Sequence, residues 1–144
     1  MTTNPKTSPT TGEIVVEVWK DAWMVFVPID PVPASRPRVS RWSGVYYGKR
    51  YSNFRKLVGD ALSRVDLPKE FPLEGPLHVD VEFRVLKPKS SKREFPRGDV
   101  DNYFKTLDSF TGAVWVDDDQ IVSSAMKKVY SEHPGIMLHV RGIE

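Results

Sequence analysis

The sequence predicts an α/β (α+β) fold, a single domain built on a small mixed sheet of about four strands with two main helices. Three observations point to it. Residues 77–86, LHVDVEFRVL, alternate apolar and polar side chains with a period of two, as a strand with one buried face does. Residues 22–29, AWMVFVPI, are a continuous apolar run rich in β formers that stops at prolines, which reads as a buried strand. Between them, Phe54, Leu57, Val58, Ala61, Leu62 and Val65 recur at the spacing of one helix face.

The elements follow in order. The opening residues, MTTNPKTSPTTGE, lack the apolar segment of a signal peptide, so residues 1–20 are expected to be a disordered leader and 21–144 the folded domain. After the first strand, Pro28, Pro31, Pro33 and Pro37 disfavour regular structure as far as Arg38. Ser52 or Asn53 can cap the first helix, which runs to about Val65 and is closed off by prolines at 68, 72 and 76. In the strand that follows, Leu77, Val79, Val81, Phe83 and Val85 share the buried face, and Asp80 and Glu82 lie on the polar one. A second helix begins with Asp99 as its N-cap and Asp101 in its first turn, held on the sheet by a stripe of Val100, Phe104 and Leu107. Residues 120–130 and 135–140 read as two strands joined by a turn at His133, Pro134 and Gly135.

Composition narrows the function classes. A chain of 144 residues with 40% hydrophobic and 28% charged residues suits one soluble domain with a substantial core. The absence of cysteine excludes disulfide frameworks, thiolate metal sites and a cysteine nucleophile, and it fits a reducing cytoplasm. No apolar run approaches the roughly 18 residues that a membrane span requires.

The net charge of +2 conceals an uneven distribution. No acid lies between Asp30 and Asp60, while Arg36, Arg38, Arg41, Lys49, Arg50, Arg55 and Lys56 do, interleaved with Trp42, Tyr46, Tyr47, Tyr51 and Phe54. A second basic run, Lys87, Lys89, Lys92, Arg93 and Arg97, leads into residue 99. Such surfaces suit a polyanion whose phosphates are held by Arg and Lys, although either run alone also reads as a solvated loop. Arg36 and Arg38, two residues apart in the proline-stiffened segment, make a candidate phosphate clamp, and Arg55, Lys56 and Arg64 lie off the apolar face of the first helix.

The chemistry concentrates in residues 97–121, RGDVDNYFKTLDSFTGAVWVDDDQI. Asp99, Asp101, Lys105 and Asp108 come first, with Asp101, Lys105 and Asp108 on one helix face at i, i+4 and i+7; Asp117, Asp118 and Asp119 follow between Trp115 and Ile121. Clustered carboxylates repel one another, so two such groups brought together imply a divalent cation between them. Spacing excludes a calcium hand: Tyr103 and Phe104 stand where an acid and a glycine are needed after Asp99, and Ile121 fails the same test after Asp117. His78, His133 and His139 are scattered without ligand spacing.

DVDNYFKTLD at 99–108, followed by GAVWVDDDQI at 112–121, resembles the RusA family of Holliday-junction resolvases, and PASRPR at 33–38 is similar to the proline-arginine segment of its phage-type members. The resemblance covers about residues 22–140. It implies a small α/β domain that dimerises and a magnesium-dependent endonuclease, with Mn²⁺ as a substitute, that cuts branched DNA such as a four-way junction during recombination and repair in the cytoplasm of a bacterial or phage-infected cell. Residue by residue, it implies that Asp99, Asp101 and Asp118 are catalytic aspartates that hold the metal, that Lys105 is the catalytic lysine, and that Asp117 is an additional metal position. DNA-binding residues expected alongside are Arg36, Arg38, Arg41, Lys49, Arg50, Lys92, Arg93 and Arg97. The chain departs from the family pattern at Asp119 and in its leader. Two other classes remain: a branched-DNA-binding protein without catalysis, which would bind junctions equally well but show no metal-dependent cutting, and an enzyme using a DxD motif to bind a metal-bound nucleotide or sugar nucleotide, for which the long basic and aromatic runs are poorly suited.

Overall fold

Alternation along the strands decides what faces what. The computed structural model describes residues 13–35, 38–40, 44–46 and 48–144, with the backbone alone for 38–40 and 44–46. The main sheet is β1 (Val15–Trp19), β2 (Ala22–Val27), β5 (Leu77–Val85), β6 (Ile121–Tyr130) and β7 (Gly135–Gly142), in the order β1-β2-β7-β5-β6. All neighbours pair antiparallel except β5 and β6, which run parallel. The parallel pair requires a crossover, and that crossover is residues 86–120, the stretch that carries both carboxylate groups.

Val25 and Val27 of β2, Val79, Val81 and Phe83 of β5, and Ile136, Leu138 and Val140 of β7 point to one face and form the core with α1 (Lys49–Ser63) and α2 (Val100–Phe104). From α1 that core takes Tyr51, Phe54, Val58 and Leu62. On the other face of the sheet, Met24 and Phe26 are buried with no helix over them among the described residues, and Glu82 bridges Arg84 at 2.8 Å and Lys127 at 3.1 Å. Asp80, also on that face, pairs with His78 at 2.8 Å. Gly135 is required where β7 begins, because a Cβ there would stand 2.6 Å from the Val27 carbonyl oxygen and run into the Phe26 ring.

The mixed α+β fold and the two helices are as expected; the sheet gains β1. Val15–Trp19 lies within the expected leader but pairs along its length with β2, so the ordered domain extends upstream of Asp21. Residues 1–12 of that leader lie outside the described residues. The proline segment does not run irregularly through Arg38: Arg38–Ser40 (β3) and Gly44–Tyr46 (β4) form a small antiparallel hairpin. Helix α1 starts at Lys49, earlier than Ser52 or Asn53, because Gly48 is its N-cap and accepts the Ser52 N–H at 3.0 Å. Lys49 and Arg50, which precede the expected start, therefore occupy its first turn.

Beyond Phe104 the second helix tightens into a 3₁₀ segment, Lys105–Phe110. At three residues per turn the inward set becomes Tyr103, Thr106, Leu107 and Phe110, and Val100 and Phe104, expected as anchors, are half-buried.

Candidate functional site

A short helix can present charges only if apolar and polar anchors hold it from beneath and beside. Tyr103 is the anchor beneath: buried, its ring 5.5 Å from that of Phe83, it donates its hydroxyl to the Arg97 carbonyl at 2.8 Å. Thr106 donates to the Tyr103 carbonyl at 2.6 Å. Gly98, with φ +93°, makes the turn into Asp99, and Lys128 of β6 donates to the carbonyls of Pro96 at 2.8 Å and of Gly98. Asp99 is the N-cap of α2 in an extended conformation, yet its side chain makes no capping bond, which leaves the carboxylate facing outward.

The second carboxylate group sits on a 3₁₀ turn, Asp118–Gln120. Asp117 caps it, accepting the Asp119 N–H at 3.0 Å, while the Gln120 side chain accepts the Asp117 N–H at 2.8 Å. The amide of Gln120 also donates to the carbonyls of Leu73 and Gly75, both at 2.9 Å. Ahead of the turn, fully buried Trp115 packs against Phe110 at 5.9 Å.

These supports bring Asp99, Asp101, Lys105, Asp108 and Asp118 to the walls of one cleft of about 640 Å³. Asp117, spent on its cap, does not line the cleft, and Asp119 is exposed outside it. Lys105 donates to the Asn102 side chain at 3.3 Å, and Arg55 reaches Asp108 at 3.8 Å from α1. The Asp118 carboxyl is pushed above the usual carboxylate range, by partial burial first and then by Asp117, Asp108 and Asp119 around it. The repulsive share of that shift is what a bound cation would relieve. The donors are carboxylate oxygens with no imidazole or thiolate among them, which fits a hard cation such as Mg²⁺ or Mn²⁺. Among the described residues, no three such groups already stand at ligating distance of one point.

Ala34 and Ser35 also line the cleft. Ala34 donates its N–H to the Asn102 carbonyl at 2.8 Å, and the Ser35 hydroxyl accepts the Gly48 N–H at 3.2 Å, so the proline segment is fastened to α2 and to the start of α1 at once. Of the expected DNA-binding residues, Arg36, Arg41 and the side chain of Arg38 lie outside the described residues. Lys49 and Arg50 are exposed on α1, with Arg50 beside Asp30, whose carboxyl burial pushes up. Lys92 and Arg97 are exposed, and Arg93 stacks 4.8 Å over the Phe95 ring. Asp80 and Glu82 belong to the helix-free face and do not line the cleft.

Residues 28–141 match the family model described as Endodeoxyribonuclease RusA. The chain belongs to the RusA family. That membership implies an endodeoxyribonuclease of the Holliday-junction-resolving kind. A Bacillus subtilis (strain 168) protein named Uncharacterized protein YqaN is 29% identical over 132 residues, spanning 79% of this RusA chain and 92% of that protein. Among the described residues of this RusA protein, no helix is long and apolar enough to cross a membrane.

Sequence reasoning missed Tyr103, Lys128, Gln120 and Ser35. Gln120 was within reach, since Asp117 followed three residues later by Gln120 is a capping-box pattern. Lys128 and Ser35 act across 30 and 13 positions of sequence, and no local pattern announces such contacts.

Proposed function

We propose that this RusA protein is a divalent-metal-dependent endonuclease that cuts phosphodiester bonds in four-way junctions or other branched DNA, in recombination and repair, in the cytoplasm of a bacterial or phage-infected cell. The observation that carries the reading is the convergence of Asp99, Asp101, Asp108 and Asp118 with Lys105 on one cleft, beside the fastened base of the proline-arginine segment. Asp99, Asp101 and Asp118 would hold Mg²⁺ or Mn²⁺, which, when bound, supplies an activated water and neutralises charge on the phosphate. Lys105, kept upright by Asn102, stabilises the phosphate charge that develops during cleavage. Asp117 sets the direction in which Asp118 projects by capping the turn beneath it. Arg36, Arg38, Arg41, Lys49, Arg50, Lys92, Arg93 and Arg97 grip backbone phosphates of the DNA.

A four-way junction is two-fold symmetric, so paired cuts suit a homodimer with one cleft per subunit. Apolar surface on the helix-free side of the sheet, where Val15, Trp19 and Met126 are exposed around a groove of about 560 Å³, supports a second copy of the chain docking there.

The test is incubation of the purified protein with an end-labelled four-way junction, with and without Mg²⁺. Symmetric, metal-dependent nicks near the branch point are expected. Tight junction binding with no cutting in Mg²⁺ or Mn²⁺ would return the protein to the non-catalytic class.

A further inference from the structure

Helix α1 crosses the 3₁₀ segment after α2, and the crevice between them is a second, more open basin of about 490 Å³. From α1 it takes Ser52, Arg55 and Lys56, at i, i+3 and i+4 and hence on one side of the helix. From the other wall it takes Asp108, Ser109 and Thr111. Asp108 belongs to both this basin and the carboxylate cleft, so the two hollows adjoin at that side chain.

We propose that this basin is a backbone-phosphate subsite, which seats a phosphodiester flanking the one cut in the neighbouring cleft. The inference rests on the reading of that cleft as a nuclease site and adds to it the path of the DNA strand. Two cations against one carboxylate give the basin a positive balance, and the hydroxyls of Ser52 and Thr111 add donors of the kind that hold phosphate oxygens. Among the described residues no aromatic ring lines it, so those walls offer a base no stacking surface. The Arg55–Asp108 bridge is long, at 3.8 Å, with both side chains about 40% exposed, so it aims the guanidinium across the crevice without burying a neutral pair. Ser109 donates to Asp108 at 3.5 Å, and the Thr111 N–H donates to the Asp108 carbonyl at 3.1 Å; the wall that carries the hydroxyls is thus fixed to the same aspartate. A strand entering here would run from α1 over Asp108 into the cleft.

The test is a chemical double-mutant cycle on a four-way junction, with affinity measured in EDTA so that cutting cannot intervene. Single phosphates within three nucleotides of the branch are replaced, one at a time, by uncharged methylphosphonates. For the wild-type protein, one replacement is expected to weaken binding by about tenfold, the scale of a charge-assisted phosphate contact. Arg55→Ala/Lys56→Ala should bind more weakly and should no longer distinguish that methylphosphonate from the phosphate; its salt slope should fall by about two. Lys56→Ala alone, an exposed truncation that leaves the Arg55–Asp108 bridge in place, should lower the slope by about one. Variants that keep the wild-type slope and the wild-type sensitivity at every position overturn the subsite. Wild-type protein that binds but never cuts overturns the nuclease reading and leaves these binding results to decide the subsite separately; wild-type protein that fails to bind the junction overturns both.

Discussion

The two carboxylate groups reach the same cleft on different footings. Asp99, Asp101 and Asp108 ride on a segment packed into the core through Tyr103, Leu107 and Phe110, and fastened at its entry by Lys128 and at its side by Ala34. Asp118 stands on a turn with no buried residue of its own, hung from the Gln120 side chain and the Asp117 cap. Packing is non-directional and spreads over many contacts, whereas a hydrogen-bonded hanger concentrates its stability in a few polar atoms. The first group should therefore tolerate loss of any single polar support, while the second depends on one glutamine.

Four substitutions test that contrast, taken from the strongest effect to the weakest. Asp101→Asn should abolish metal-dependent junction cutting while junction affinity survives, since a ligand charge is lost and the basic surface is untouched; gel-resolved single-turnover assays decide it, and normal cutting would remove the first group from the metal site. Lys105→Ala should slow single-turnover cleavage on the order of 10²-fold, with far less change in affinity. If Lys105 were only a structural neighbour of Asn102, cleavage would stay near wild type and melting would shift slightly.

Gln120→Ala should cost about 1–3 kcal/mol in urea unfolding, because it removes the acceptor of the Asp117 N–H and leaves the carbonyls of Leu73 and Gly75 without its amide. Cleavage should fall with it as Asp118 loses its direction. Tyr103→Phe removes a single hydroxyl bond from a residue that keeps its packing, so about 1 kcal/mol and near-normal cleavage are expected. Equal losses from these two variants would erase the distinction between packed and hung.

Asp118 supplies the pH signature. Its carboxyl titrates above the ordinary 3.8, so the folded protein holds that proton more tightly than the unfolded chain does. The destabilising effect of the ionised side chain is therefore fully present at neutral pH and fades as the pH falls through the raised value toward 3.8. If the ionised Asp118 holds the metal, as proposed, cleavage should fall over the same interval. Asp118→Asn should melt no lower than wild type at pH 7, lose cleavage, and lose its thermal advantage as the pH drops; a lower melting temperature at pH 7 would contradict the repulsion read from Asp117, Asp108 and Asp119.

How much of this was legible in the chain depended on whether the cause was local. β2 and β5 follow from an apolar run and from alternation, because burial of one or both faces leaves its mark on consecutive residues. β1 did not show, since Val15, Val16, Glu17, Val18 and Trp19 break the alternation and adjoin a polar start. The hairpin of β3 and β4 has three-residue strands, too short for any period to appear. Asp99, Asp101, Lys105 and Asp118 were readable as candidates because clustered carboxylates with a lysine among them are conspicuous. Their supports were not: a lysine on β6 and a serine before the arginines act only once the fold has brought them near.

One of those supports has a wider consequence. Ser35 and Gly48 meet in a single hydrogen bond although 13 positions separate them, so the two ends of the intervening stretch are held together beside the cleft. Closure entropy rises slowly with length, and doubling such an excursion costs only about 0.6 kcal/mol. Insertions between those two ends should therefore weigh little on stability, so the length of the arginine-bearing stretch is open to change while its closure at Ser35 and Gly48 is kept.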